Sequence, residues 1–192
     1  MILFTEANAR NRAKIAERAY GKNTYELLRE KTYKSLHIEK HDIFMSHAYT
    51  DREIILGITL LLEDLGYTVY LDWRDDPYLD RSQVSKQTAS KLKIRMKASR
   101  CLFYSTTSSA STSKWMPWEL GFKDGDNKRS AILPIAYSPT SSYEGQEYLG
   151  IYPYIDVADD TTGKRRLWVR WSESCYVNFD SWLDGYEPSE RQ

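Results

Sequence analysis

The chain has few of the residues that mark a secreted, disulfide-bonded or metal-binding protein. Its 192 residues include only two cysteines, Cys101 and Cys175, and they form no CxxC pair. Two cysteines so far apart in sequence are typical of free thiols in a reducing compartment. The three histidines include one pair at helical spacing, His37 and His41, but no cysteine or carboxylate set completes a site around them. The sequence therefore predicts free thiols and no metal.

Long apolar runs and a net charge are also missing. The first residues, MILFTEANAR, have three apolar side chains after Met1, too few for a signal peptide, and no later run reaches membrane-spanning length. The 27 basic and 27 acidic residues cancel, so no overall field draws the chain to nucleic acid or to an anionic membrane. The basic stretch KLKIRMKASR, residues 91–100, would spread its charges around a helix as a solvated face. We expect a cytoplasmic protein that binds neither nucleic acid nor membrane.

Neither glycine-rich pattern for binding nucleotide phosphates occurs. The sequence contains no G-x-G-x-x-G and no P-loop, so any dinucleotide would be held without a Rossmann fingerprint, which argues against hydride transfer. Aromatic residues, by contrast, are abundant, with 15 tyrosines and 6 tryptophans. Such a content fits either an amphipathic core and rim or a pocket for a flat heterocyclic ligand, and composition does not choose between them.

The N-terminal part predicts helices outside the main fold. Residues 5–36 are polar and helix-favouring, with a break at YGKN, residues 20–23. Thr5 is a suitable N-cap for the first helix, and Asn23 or Thr24 for the second. We therefore predict that residues 1–40 form an N-terminal helical extension.

From residue 41 the pattern alternates between strands and helices. A βαβ unit is visible where an apolar run at 43–45 precedes a helical apolar face at 54–65, a glycine stop at Gly66 and a branched strand at 67–71. The helix that follows has Ser82 as its predicted cap and places Val84, Thr88, Leu92 and Met96 on one face. Alternation of this kind predicts an α/β fold with a flavodoxin-like, doubly wound parallel sheet. Its five predicted strands are residues 41–48, 67–71, 100–105, 130–137 and 152–157.

The predicted domain boundaries follow from this alternation. Residues 41–157 form the α/β domain. Residues 158–192 form a C-terminal extension packed on it, with a strand and a short helix.

One motif stands out on chemical grounds, SKWMPWELGF at residues 113–122. Glu119 follows Trp118 directly and stands four residues after Trp115, where a short helix begins. A surface glutamate needs no such aromatic neighbours, whereas a catalytic carboxylate is helped by shelter from water. The alternative is that both tryptophans are core residues and that Glu119 only favours the helix N-terminus electrostatically.

Three segments in this order and spacing, DIFMSHAYTD, LEDLGYTVYLDW and SKWMPWEL, resemble a bacterial Toll/interleukin-1 receptor (TIR) domain, of the NAD-cleaving, signal-producing kind known from Thoeris-like anti-phage defence. The resemblance covers residues 42–137. It implies cleavage of NAD+ at the nicotinamide–ribose bond by a glutamate four residues after a tryptophan, and Trp115 and Glu119 match that pattern. His47 corresponds to the family's residue after the first-strand serine, and Ala48 stands where some relatives carry arginine.

The resemblance and the predicted sheet together give a list of candidate site residues. Ligands of open α/β sheets bind at the carboxyl ends of the strands, so the first two strand ends and the Ser/Thr-rich loop 105–113 should face Glu119 across one crevice. His47 could instead bond to the backbone, Arg74 could be solvated, and the Ser/Thr loop could be a lid or inert. The catalytic candidate is Glu119, and the substrate-binding candidates are Ser46, His47, Ala48, Asp72, Trp73, Arg74 and Trp115.

The expected function is therefore cleavage of NAD+, as a substrate and with no cofactor, to make an ADP-ribose-derived product with a cyclic form expected. The resemblance also implies self-association through the loop 72–81 and a separately encoded effector that senses the product. Two alternatives stay open: a non-catalytic TIR interaction module, and an N-glycoside transferase of the deoxyribosyltransferase type. A phosphoacceptor receiver is excluded because SHA and YSTT stand where that class needs acidic residues.

Overall fold

The computed structural model describes residues 3–21, 23, 26, 40–76, 85–107, 110–138, 143, 145 and 147–191. The second predicted N-terminal helix lies almost entirely outside this set. At its predicted start, Asn23 and Glu26 exchange two side-chain-to-backbone hydrogen bonds of 2.9 and 3.0 Å, the reciprocal pattern of a capping box.

The first described residues are built into the sheet. Strand β1 (Phe4–Thr5) pairs in parallel with residues 135 and 136, and Thr5 caps helix α1 (Glu6–Tyr20) as predicted, accepting a hydrogen bond from the amide of Asn8. Gly21 ends the helix in the left-handed conformation, with φ at 62°. The N-terminal segment thus contributes a strand as well as a helix.

Five parallel strands form the centre of the sheet, as the alternation of the sequence predicts. They are β2 (His41–Ser46), β3 (Val69–Tyr70), β4 (Ser99–Thr106), β5 (Ser130–Ala136) and β6 (Tyr154–Asp159). In spatial order β3, β2, β4, β5 and β6, all four neighbouring pairs are parallel. Numbered from β2 along the chain, this order is 2-1-3-4-5, that of the flavodoxin-like folds. The α/β class is confirmed.

Helices cover both faces of this sheet. Helix α2 (Arg52–Asp64) buries its apolar face in one core, and its chain turns at Gly66, which has a φ of 98°. Helix α1 packs on α2 so closely at Gly57 that an added Cβ would lie 1.8 Å from the carbonyl oxygen of Ala9. On the other face lie α4 (Lys86–Ala98) and α5 (Met116–Asn127).

The N-cap of α4 differs from the predicted one, whereas its buried face does not. The N-cap of α4 is Ser85, whose hydroxyl accepts from the amide of Thr88, while Ser82 and Val84 lie outside the described residues. The buried face of α4 is the predicted one, with Thr88, Leu92 and Met96.

The sheet continues beyond the five predicted strands, so it is mixed. Three antiparallel strands follow β6, where the sequence analysis expected one strand and a short helix. The short turn at 171–174 allows two of these strands to pair as a hairpin, and both thiols of the chain are free. The elements of this part are β7 (Arg165–Arg170), β8 (Cys175–Asn178), α6 (Phe179–Leu183) and β9 (Ser189–Glu190).

The described helices include none with the length and apolarity that crossing a membrane requires. Within the same residues, no group of three or more His, Cys, Asp or Glu is placed to hold a metal ion. His41 is buried and makes an edge contact with the ring of Tyr70, with centroids 5.7 Å apart.

Candidate active site

Glu119 is completely buried at the carboxyl ends of two central strands. It lies in the first turn of α5, which begins at Met116 with Pro117 at its start. The hydroxyl of Ser46, the last residue of β2, donates to Oε2 of Glu119 across 2.6 Å. In the strand order 2-1-3-4-5, the order reverses between β2 and β4, so this contact lies at the topological switch point of the sheet, where open α/β folds bind their ligands.

A second serine fixes the position of the first. The hydroxyl of Ser105, on β4, donates to the carbonyl oxygen of Ser46 across 2.8 Å. Both serines are fully buried. The end of β2, and with it the donor to Glu119, is therefore held by a side chain in addition to the ladder between the strands. In the sequence, Ser105 ends a predicted strand and begins the Ser/Thr-rich loop, but its contact with Ser46 was not predicted because it depends on the register of the two strands.

The predicted substrate-binding residue His47 is buried and faces two oxygen atoms. Its Nδ1 lies 2.9 Å from the carbonyl oxygen of Met45, and its Nε2 lies 3.5 Å from Oδ1 of Asp72. These contacts join the end of β2 to the short helix α3 (Asp72–Asp75), which follows β3. Ala48 is buried in the same apolar cluster as Trp115. The side chains of Trp73 and Arg74 lie outside the described residues.

Trp115 immediately precedes α5 and is almost fully buried, with 7% of its surface exposed. Its ring meets that of Trp118 edge to face, with centroids 5.4 Å apart. Trp118 in turn stacks on Phe122, and Lys93 of α4 lies 5.9 and 5.5 Å from these two rings. Trp115 thus belongs to the buried cluster at the site, while Trp118 extends toward α4.

Lys123 lies one turn after Glu119 on the same buried face of α5. It was not among the predicted site residues. Its ammonium donates to the carbonyl oxygens of Met96 and Ser99, at 2.7 and 2.6 Å, where α4 gives way to β4. Burial lowers the pKa of Lys123, opposed by the charge of Asp126. A basic residue four positions after Glu119, on the apolar face of the helix, was the available signal. These hydrogen bonds link α5 to the end of α4 and the start of β4.

Asp76, in the loop after β3, is the centre of a network of hydrogen bonds and ion pairs. The carboxylate of Asp76 accepts from Arg95 at 2.7 and 3.1 Å and from the hydroxyl of Tyr70 at 2.8 Å, and Lys91 lies 3.1 Å away. Burial by itself would raise the pKa of Asp76, but these bonds outweigh it and the pKa lies below its ordinary value. The start of the predicted self-association loop is thereby fixed to α4. Residues 77–81 of that loop lie outside the described part.

The Ser/Thr-rich loop, for which a lid and an inert loop were both open, is held near its start. The hydroxyl of Thr107 donates to the carboxylate of Asp51, in the 3-10 turn Tyr49–Asp51 that follows β2. A second 3-10 turn, Ala110–Thr112, leads toward α5. Whether the loop closes over a ligand stays a prediction.

A separate cavity of about 400 Å³ lies on the opposite face of the sheet, between α1 and α2. Its lining is mainly apolar, with Arg12 and Asp64 paired at its rim through bonds of 2.7 and 2.9 Å. None of the predicted site residues lines it. Asp64, the acidic residue that lines this cavity, is half-exposed and ion-paired. We therefore place the chemistry at Glu119.

Comparison with known proteins gives the family of the chain. The family model of the TIR domain matches residues 43–168. The chain belongs to the TIR domain family.

Two curated relatives share sequence with the chain. It is 41% identical to a Bacillus cereus (strain MSX-D12) protein named "Probable 3' cyclic ADP-D-ribose synthase ThsB'", over 192 aligned residues that cover 95% of this chain and 98% of the relative. It is 32% identical over 83 residues to the "Putative cyclic ADP-D-ribose synthase TIR2" of Cytobacillus dafuensis, covering 43% of this chain and 22% of the relative. Among solved structures, the TIR domain of the Toll-related receptor TRR-2 from Hydra magnipapillata matches 54% of this chain and 76% of that chain, at 19% identity and a TM-score of 0.40.

Proposed function

We propose that this chain is an enzyme that cleaves the nicotinamide–ribose bond of NAD+ and converts the remainder into a cyclic ADP-ribose. One observation carries the proposal: a fully buried carboxylate, Glu119, is held by the hydroxyl of Ser46 at the switch point of the sheet. The names of the two curated relatives, both described as cyclic ADP-D-ribose synthases, support the same activity.

The chemistry needs only one carboxylate because nicotinamide is a good leaving group. When the bond between C1′ of the ribose and the pyridinium nitrogen breaks, its electron pair stays on that nitrogen, and nicotinamide leaves neutral. Ordinary glycosidases need a second carboxylic acid to protonate the leaving oxygen, and this reaction does not. Glu119 then offsets the positive charge that develops on the oxocarbenium-like ribose, which is the kind of charge stabilisation that a preorganised buried group provides best.

Cyclisation requires that an internal nucleophile reach C1′ before water does. A hydroxyl or an adenine nitrogen of the same molecule attacks C1′ and forms the new bond. If a hydroxyl attacks, its proton passes to a base, and we assign that role to the carboxylate of Glu119. The buried aromatic surroundings of Glu119, with Trp115 beside it in the apolar cluster, favour this outcome because they keep water from the intermediate.

The test is to incubate purified protein with NAD+, to quantify nicotinamide, and to identify the other product by mass and retention. We expect nicotinamide release and a product of the mass of ADP-ribose less one water. Glu119→Gln keeps size and hydrogen bonding but removes the charge, so we expect a loss of at least ~100-fold. Glu190→Gln, at an exposed position on β9, is the matched control and should keep full activity.

The alternatives predict other results in this assay. A non-catalytic interaction module releases no nicotinamide at any protein concentration. An N-glycoside transferase of the deoxyribosyltransferase type acts on nucleosides and leaves NAD+ intact. Linear ADP-ribose as the sole product would keep the cleavage step and remove the cyclisation.

We further propose that the product is a signal in anti-phage defence, read by a separately encoded effector. A cyclic nucleotide product is small and diffusible, so it can carry a signal to a second protein. Depletion of NAD+ by itself provides no such messenger. The test applies the small-molecule filtrate of activated cells to candidate effectors. An inert filtrate would replace signalling with NAD+ depletion.

Self-association through the loop 72–81 is the third part of the proposal. The network around Asp76 gives this loop a fixed base from which to meet a neighbouring copy, and Trp73, Pro77 and Tyr78 are suitable anchors in sequence. We expect specific activity to rise with protein concentration. Specific activity that stays constant from dilute to concentrated protein would exclude a shared site.

A further inference from the structure

Tyr104 lies beside Ser46, the residue that donates to Glu119. The mechanism described so far does not use Tyr104. In the parallel ladder of β2 and β4, Tyr104 is the register partner of Ser46, so both side chains emerge on the same face of the sheet. Tyr104 is 3% exposed. Burial raises the pKa of its phenol, with further contributions from the hydroxyl of Tyr148 and the charge of Glu119. The site therefore contains a neutral phenol close to the catalytic carboxylate.

Tyr148 reaches this phenol from a different segment of the chain. It lies in the 3-10 turn Glu147–Ile151, between β5 and β6, and 45% of it is exposed. Its hydroxyl interacts with that of Tyr104 at one end, while much of the rest faces solvent. A ring with one edge at the site and another surface open is available for a ligand to stack on.

The backbone around Tyr148 is constrained in two ways. Gly145 and Gly150 pack main chain against main chain, so that a Cβ on Gly145 would lie 2.6 Å from the Cα of Gly150. Glu147, immediately before Tyr148, has a φ of 50°, which side-chain-bearing residues rarely adopt. Strained positions of this kind persist where the surroundings enforce them, and they cluster at ligand clamps. The two features together fix the direction in which Tyr148 leaves the loop.

We propose that Tyr148, which meets Tyr104 beside the close contact of Gly145 with Gly150, is a substrate-contacting residue that stacks on a flat ring of the dinucleotide and limits the access of water to the site. This inference rests on the proposed function. Stacking of a base on an aromatic side chain is sequence-tolerant and contributes to affinity in the ground state, so Tyr148 acts on KM. By covering the intermediate it also favours capture by an internal nucleophile over capture by water.

The experiment compares Tyr148→Ala and Tyr148→Phe with the wild type, measuring KM and kcat for nicotinamide release and the ratio of cyclic to linear product. For Tyr148→Ala we expect KM to rise about 10-fold, the low end of what one lost stacking contact costs, and the share of linear ADP-ribose to increase. Tyr148→Phe keeps the ring and should retain a KM within about 3-fold. Tyr186→Ala, at a position 69% exposed in the C-terminal part, is the control and should match the wild type.

A second variant tests the loop rather than the ring. Gly145→Ala forces the two backbones apart and should reproduce both effects of Tyr148→Ala, whereas Gly125→Ala in α5, where an added Cβ meets nothing within 4 Å, should not. If the wild type releases nicotinamide but both Tyr148 variants keep its KM and product ratio, the inference is wrong and the proposed function stands. If the wild type releases none, the proposed function itself fails.

Discussion

Ser46 and Glu119 share a hydrogen bond of 2.6 Å that joins the end of strand β2 to the first turn of helix α5. The two residues are 73 positions apart in sequence, and both are fully buried. Ser46 donates, so its hydroxyl supports the ionised form of Glu119 and fixes the orientation of the carboxylate. Because Ser105 holds the carbonyl group of Ser46, the position of Glu119 depends on the carboxyl ends of both β2 and β4.

Replacing Ser46 by alanine removes the donor and leaves the carboxylate in place. We expect kcat for nicotinamide release to fall at least about 10-fold with little change in KM, because a buried hydrogen bond to a charged group contributes roughly 1.5–3 kcal/mol.

Ser130→Ala is the matched control for this variant. Ser130 is also a buried strand serine, and its hydroxyl has no hydrogen-bond partner within the described residues. The control should keep the kcat of the wild type. An unchanged kcat for Ser46→Ala would show that Ser46 does not act on Glu119.

Trp115 is tested by two substitutions that separate packing from contact with the substrate. Trp115→Phe keeps an aromatic face and should retain activity within about 3-fold. Trp115→Ala should lose about 10-fold in kcat/KM and also destabilise the fold by roughly 3 kcal/mol, because it opens a cavity beside α5. The measurements are steady-state kinetics and thermal unfolding, with Trp171→Ala, which is exposed, as the control. A lower melting temperature with unchanged kinetics would assign Trp115 to the core alone.

Gly57 allows the closest approach between α1 and α2. Because the obstructing atom is the carbonyl oxygen of Ala9, a main-chain atom, Gly57→Ala requires the two helices to separate. We expect a loss of at least about 2 kcal/mol in the free energy of unfolding. Gly125→Ala, in open space on α5, should instead stabilise by roughly 0.5–1 kcal/mol through helix propensity. Chemical denaturation of both variants measures the difference, and equal stabilities would mean that α1 is not packed as described.

Asp76 gives the stability of the domain a dependence on pH. Since its pKa is lowered in the folded state, its contribution is fully present above the unfolded value near 3.8 and is lost as pH falls through the folded value. Asp76→Asn should cost about 2 kcal/mol at pH 6, where Arg95 and Tyr70 lose their charged partner. That difference should shrink as the pH is lowered from 5 to 3. Urea unfolding at each pH measures it, and a difference that is constant over this range would contradict the assignment.

Features that repeat locally were visible in the sequence. Local patterns of apolar and capping residues predicted the Thr5 cap and the five central strands. They also predicted the buried face of α4, formed by Thr88, Leu92 and Met96. The approach of Ser46 to Glu119 was also accessible, because carboxyl ends of parallel strands meet at one edge of the sheet.

Features that depend on exact register or on very short elements were not visible. Strand β1 has two residues, too few to show a period of two. The contacts of Ser105 and Tyr104 with the site depend on which residues of β2 and β4 are paired, and that of Tyr148 depends on a loop closed by two glycines. The exclusion of a side chain at Gly57 depends on the close approach of α1, which is a tertiary contact.

The pairing of β1 with β5 has a consequence for synthesis on the ribosome. Phe4 and Thr5 are translated about 130 residues before their partners Ile135 and Ala136. Until those partners emerge, the strand β1 has no neighbouring strand to pair with, and a pairing so distant in sequence carries a high entropic cost of loop closure. The β1–β5 edge of the nascent domain therefore stays unpaired until β5 has left the ribosome.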